Sequence, residues 1–139
     1  MKSYLTVHCP IKIHFYDVDS MNVVWHGNYI RFFEQARSDM LDRLEYNYEQ
    51  MRLAGYTLPI VDFQIKYIRP LYLHQNIIVE ASLIEYEHRL KIKFKIFDEA
   101  TGELLTKAES TQVAVREDNK HLEFEIPLAL KQKILGLLQ

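Results

Sequence analysis

The chain has 139 residues, 48% apolar and 26% charged, with 17 Lys and Arg against 19 Asp and Glu for a formal charge of −2. This balance excludes wholesale disorder and gives no support to a protein that grips nucleic acid through a basic face. The single cysteine, Cys9, excludes an intrachain disulfide and a cysteine-rich zinc site.

In chain order, the first strand signal is Pro10 to Tyr16, where Ile11, Ile13 and Phe15 alternate with Lys12, His14 and Tyr16. A polar break follows from Asp17 to Asn22, then Val23-Val24-Trp25 leads into His26-Gly27-Asn28. From Tyr29 the period changes: Tyr29, Phe33, Ala36, Met40 and Leu44 recur at helical spacing, and Met51 continues the drift. This predicts one long amphipathic helix, or two joined near Tyr46-Asn47, ending at Gly55 as the C′ residue. Ile30, Phe32 and Phe33 widen its apolar face, so the helix is expected to be buried along most of its length. Period two then returns. Strands are expected at Thr57–Arg69 (closed by Pro70), Asn76–Glu87, Arg89–Phe97 and Glu103–Arg116, with a hairpin turn at Asp98–Gly102 and a break at Glu117–Lys120. Pro127 is placed at N1 of a last helix running to Leu138. Strand, long helix, then antiparallel strands make an α+β protein whose sheet covers the helix. The length predicts one domain over residues 1–139, since single domains commonly hold roughly 100–150 residues. No run approaches the ~18 apolar residues of a membrane span. The opening MKSYLTVHCP lacks the apolar stretch of a secretory signal. A cytoplasmic protein with neither membrane nor nucleic-acid partners is expected.

Only Tyr16 to Tyr29 is chemically dense. Asp17 and Asp19 precede His26, and Gly27 and Asn28 stand where a helix opens. A helix start presents free backbone N–H groups and partial positive charge, which stabilise an oxyanion during acyl transfer. Gly27 removes a side chain that would block close approach, and a nearby acid can activate water or attack directly. By spacing alone these residues serve equally well as loop, capping and helix-end hydrogen-bonding groups.

The segment Phe15-Tyr16-Asp17-Val18-Asp19-Ser20-Met21-Asn22-Val23-Val24-Trp25-His26-Gly27-Asn28-Tyr29 resembles the signature of the 4-hydroxybenzoyl-CoA thioesterase family of hotdog-fold acyl-CoA thioesterases. The likeness continues in Ala36-Arg37, in Ile65-Lys66-Tyr67-Ile68-Arg69-Pro70-Leu71 and in Asp98 to Leu105, and so covers the chain to about Arg116. It implies a hotdog fold, a curved antiparallel β-sheet wrapped around a long central helix. It also implies a homo-oligomer, dimer or tetramer, with the active site completed across the subunit interface. The implied reaction is hydrolysis of an acyl or aroyl thioester to free acid and CoA thiol, with no metal and no cofactor. The second Asp of the D-x-D motif, Asp19, is then the catalytic carboxylate. The amide of His26, with Gly27 and Asn28, polarises the carbonyl, and the His26 side chain is also implicated. Tyr16, Asp17 and Tyr29 are supporting residues. Where the family often has Gly after the catalytic Asp, this chain has Ser20-Met21-Asn22, and Asn22 tolerates the left-handed backbone that such a turn uses. Alternatives are a non-catalytic acyl-CoA-binding or interaction module of the same fold, and an acyl-thioester hydratase or dehydratase. The paired His and acid of the last are not visible on the helix.

Elsewhere, His8, His14, His74, His88 and His121 show no metal-ligand spacing. Asp62 falls in an apolar strand. Lys91, Lys93 and Lys95 read as a solvated strand face. CoA is polyanionic and the chain slightly acidic, so phosphate contact requires a local basic cluster. Lys66, Arg69, Arg89 and Lys91 are the candidates.

Overall fold

A computed structural model describes residues 3–138. Strand β1 (Leu5–Lys12) pairs antiparallel with β4 (Asn76–Glu85), from Leu5 opposite Leu83 to Lys12 opposite Asn76. Helix α1 (Tyr29–Arg43) and the short α2 (Tyr48–Leu53) follow, then β2 (Tyr56–Thr57), β3 (Ile60–Tyr67) and β4. The remaining elements are β5 (Leu90–Asp98), β6 (Leu104–Gln112), β7 (Val115–Arg116) and α3 (Leu128–Leu137). Five strands make an antiparallel sheet in the order β1-β4-β5-β6-β3, and β2 pairs with β7. This is the expected α+β arrangement of a sheet packed on one long helix.

The boundaries differ from the sequence expectations for local reasons. Phe15 and Tyr16, expected to end the first strand, lie instead with Asp17 in a 3-10 turn. The Asp17 carboxylate turns inward and accepts the His14 amide at 2.9 Å, which pulls the chain out of the sheet. The long helical stretch is two helices, broken at Glu45, whose φ is +57°. Asn47 restarts it with a reciprocal cap: its side chain accepts the Gln50 amide at 3.0 Å, and Gln50 accepts the Asn47 amide at 2.8 Å. Gly55 stands just past α2 at φ +87°, as its C′ assignment requires. The strand expected at Thr57–Arg69 is split at Leu58-Pro59, and that expected to reach Arg116 stops at Gln112 before β7. Pro127 caps α3 in an extended conformation, with ψ 139°, one position before the N1 site expected for it.

The core lies between α1 and the inner sheet face. Phe33, Ala36, Met40 and Leu41 of α1 are fully buried against Ile77, Val79, Ala81 and Leu83 of β4 and Leu90, Ile92, Phe94 and Ile96 of β5. Phe94 sits with its ring centroid 4.9 Å from Phe33 and 6.2 Å from Phe63, so one aromatic cluster ties the helix to β5 and β3. Arg37 is the exception, a charged side chain with 0% exposure inside this layer. It donates to Ser110 Oγ at 2.5 Å and to Glu34, and its guanidinium lies over the Phe63 and Phe94 rings at 5.9 and 5.5 Å.

Two consequences are measurable. Phe94→Ala should cost about 3–5 kcal/mol of stability in denaturant unfolding, because the cavity opens where three rings meet. Cys9 is 3% exposed, and burial, reinforced by the nearby Asp39 side chain, pushes its thiol up to about 12. The sulfur therefore stays protonated at neutral pH, and an Ellman titration of the folded protein should find no reactive thiol until denaturant is added.

Candidate active site

The segment between β1 and α1 folds as a tight loop on the end of the sheet. Val18 bridges Val24, the Asp19 amide donates to the Val23 carbonyl at 2.9 Å, and the Trp25 amide to the Asp17 carbonyl at 3.3 Å. The tip is a turn from Asp19 to Asn22, closed by the Asn22 amide on the Asp19 carbonyl at 3.0 Å. Asn22 has φ +62°, the left-handed conformation the sequence led us to expect there. The loop is tied to the following connection by the Val24 amide on Leu71 O at 2.8 Å and the Leu73 amide on Asn22 O at 3.2 Å.

The two carboxylates of the D-x-D motif have opposite environments. Asp17 is 2% exposed. One of its oxygens accepts the His14 amide, the other pairs with Arg31, and its carbonyl accepts the Asn28 side chain at 2.8 Å. Asp17 thereby fastens the loop to the helix start. Asp19 is exposed at the tip. Its Oδ1 accepts the Met21 amide at 2.8 Å, and its other oxygen accepts no hydrogen bond among the described residues. One oxygen orients the carboxylate while the second stays available for a proton or a carbonyl carbon.

Helix α1 is preceded without a break by a 3-10 turn, His26–Asn28. The Asn28 amide is taken by the Trp25 carbonyl at 2.9 Å. The amides of His26 and Gly27, at the front of this turn, donate to no acceptor among the described residues, as the geometry of a helix start dictates. Tyr29 is buried beneath them, its phenol pushed above its ordinary value by that burial. Its ring meets that of Tyr67 edge-on at 4.8 Å, and the Tyr67 hydroxyl stands 3.5 Å from the His26 carbonyl oxygen. The end of β3 therefore lies beside the helix start. Tyr16 is exposed, stacked on His14 at 5.1 Å with the Arg31 guanidinium 5.9 Å from its ring.

Three features were not legible in the spacing. The room expected beside Gly27 is filled by Trp25: a Cβ at that position would lie 2.1 Å from the indole. The glycine accommodates this chain's own ring, which is 53% exposed. Arg31 as the partner of Asp17 and Tyr67 as the neighbour of His26 come from contacts distant in sequence, which no local pattern announces.

The basic candidates do not gather within one chain. Lys66 lies on the outer face of β3, and Arg69, just beyond β3, pairs with Glu103 at 2.9 Å. Arg89 is held by Glu85 at 3.1 Å and Lys91 stands 3.8 Å from Glu109. Lys91 is opposite Thr111 and Tyr67 opposite Thr106, so Arg89 and Lys91 are at the far end of the strands from Lys66 and Arg69. Asp62 is exposed on β3 with Gln64 donating to it at 3.3 Å. Among the described residues no cluster of three His, Cys, Asp or Glu side chains is arranged to hold a metal ion.

Known proteins share this fold. The family described as the thioesterase-like superfamily matches residues 13–134. The putative acyl-CoA thioesterase YneP of Bacillus subtilis is 29% identical over 116 residues, 82% of this chain and 83% of that protein. The structure of the DHNA-CoA thioesterase of Staphylococcus aureus superposes with a TM-score of 0.80 at 26% identity, covering 95% of this chain and 92% of the other. That of Slr0204, a 1,4-dihydroxy-2-naphthoyl-CoA thioesterase from Synechocystis, superposes at 0.86 with 18% identity, covering 96% and 98%, and shows the shared fold. With the hotdog architecture in place and the match running through loop, helix and sheet alike, the chain belongs to the thioesterase-like superfamily and is a thioester hydrolase.

Proposed function

We propose that the enzyme hydrolyses acyl-CoA thioesters in the cytoplasm, with Asp19 as the catalytic carboxylate. The observation that carries this reading is the Asp19 side chain, oriented through one oxygen and free at the other, on the loop that leads into the open amides of His26 and Gly27. Those amides receive the carbonyl oxygen as it gains charge. Asp19 accepts the proton of an attacking water, or adds to the carbonyl carbon and forms a mixed anhydride that water then opens. In either course the tetrahedral centre collapses with loss of the CoA thiolate, which leaves protonated by solvent. The names of the B. subtilis and S. aureus relatives support a CoA ester as substrate. Lys66 and Arg69, at the site end of β3, are the nearer candidates for CoA phosphates, and Arg89 and Lys91 serve a ligand reaching the far strand ends.

The same reading takes the working form to be a homo-oligomer, a dimer at least. Strand β3 is an edge with unpaired backbone groups, and Ile60, Val61 and Tyr67 on it are exposed together with Trp25, Ile30 and Ile68 near the site. A second copy paired along β3 would cover this strip and complete the site across the junction.

Thiol release from a panel of acyl-CoA esters tests the activity, and no turnover of any thioester would refute it. Asp19→Asn should lower kcat by about 10²–10⁴ with little change in KM or melting temperature. His26→Ala should lose less, since its amide survives. Asp17→Asn should chiefly lower the melting temperature, because the buried pair with Arg31 is broken.

Val61 is 58% exposed on the β3 edge, and Val61→Asp should shift light-scattering mass towards the monomer and reduce kcat with it. A wild-type protein that stays monomeric at all concentrations with full activity would contradict the dimer.

A further inference from the structure

The outer sheet face, turned away from α1, carries a line of lysines that hydrolysis does not explain. Lys95 of β5 is directly opposite Lys107 of β6, and Lys107 is directly opposite Lys66 of β3. Opposed side chains in an antiparallel sheet have Cβ atoms about 5 Å apart, so the three lysine side chains leave the sheet along a line of about 10 Å. Lys93 lies two residues along β5 on the same face. All four border one groove of about 600 Å³, together with Glu80 and Glu109. That volume falls in the range of small-molecule sites.

The charges in this groove are not balanced from within. Among the described residues no carboxylate lies within 4.0 Å of Lys66, Lys93, Lys95 or Lys107. Glu80 is opposite Lys95 but turns to His8 at 3.1 Å, and Glu109 is opposite Lys93 but its ion pair is with Lys91 at 3.8 Å. Like charges directly opposed across strands destabilise a sheet, and here they do so twice in succession. The chain as a whole is slightly acidic, so this basic strip is a local feature. Phe94 borders the groove through its backbone and turns its ring into the core against Phe33, so no aromatic face is offered there for a base to stack on. What the groove presents is a row of point charges, which suits phosphate oxygens.

We propose that the outer sheet groove binds a small anion bearing two or more phosphate groups, held by Lys66, Lys95 and Lys107 with Lys93 beside them. Such groups come either on the nucleotide end of the CoA ester or on a separate polyphosphate, and the lysine row recognises the chemistry common to both. Binding there does not depend on Asp19 or on turnover.

The test uses the full chain and inorganic triphosphate as the probe, followed by thermal unfolding at low salt. Triphosphate should raise the wild-type melting temperature by about 3 °C or more, and about 1 M salt should abolish the shift. Lys107→Gln removes the middle charge. Without ligand it should unfold about 1–2 °C higher than wild type, through relief of repulsion, and its response to triphosphate should fall by at least half. Lys12→Gln, an exposed lysine of β1 outside the groove, should leave the response intact. Absence of a wild-type shift, or equal shifts in the two variants, would overturn the proposal. So would a lower light-scattering mass for Lys107→Gln, since the groove would then be a contact between copies. Kinetics separate the two sources. A KM rise of about fivefold for a CoA ester but not for an N-acetylcysteamine ester assigns the phosphates to the substrate. Unchanged KM for both, with the triphosphate response lost, assigns them to a separate anion. If no thioester is turned over, the unfolding measurements still decide the matter.

Discussion

Everything in this fold answers to the width of the apolar face at the start of α1. Tyr29, Phe32, Phe33, Ala36 and Arg37 are all buried, so the first two turns must be covered across much of their circumference. A flat sheet touches a cylinder along a single stripe. The strands must therefore curl around the helix, and β1, β4, β5, β6 and β3 do so with β1 and β3 left as edges. Burying the helix this way also fixes its direction, and with it the direction in which the amides of His26 and Gly27 point. The polarity of the proposed site is a by-product of how the core is filled.

Within that frame the two acids of one short motif divide the work by depth. Asp17 faces inward, where a buried charge is tolerable only when paired, and Arg31 and the His14 amide supply the pairing. Asp19 stands at the solvent-facing tip and keeps one oxygen free. Regular strand alternation would set residues 17 and 19 on one face; the 3-10 turn that ends at Asp17 breaks that alternation, so one acid faces the protein and the other faces solvent. Arg37 is a second buried charge, held by Glu34 and Ser110 between two aromatic rings, at the level where the helix faces β5 and β6.

Much of this was legible in the chain. The strict alternation of Leu90, Ile92, Phe94 and Ile96 with Lys91, Lys93 and Lys95 became β5 with its lysines outward, and Gly55 and Asn22 took the left-handed conformations their positions demanded. The break near Tyr46-Asn47 was visible as one of two readings of the helix. What escaped depends on contacts between distant residues. Phe15 and Tyr16 kept the period of a strand, but the inward turn of the Asp17 carboxylate, with Arg31 waiting 14 residues on, redirected the backbone. Trp25 over Gly27 could not be read from either residue alone. The sequence offers Lys66, Arg69, Arg89 and Lys91 as basic candidates one by one, whereas the register that sets Lys95 beside Lys107 and Lys66 exists only once the sheet is assembled.

The buried thiol of Cys9 has a practical side. It is the chain's single sulfhydryl and it is held in its unreactive form on the buried face of β1. The folded protein thus has a silent background for thiol chemistry without any cysteine having to be removed. A cysteine introduced on the free edge of β3 would be the one group to take a spin label or fluorophore. The distance between two such labels would then report directly on how neighbouring copies are placed, with the core left as nature packed it.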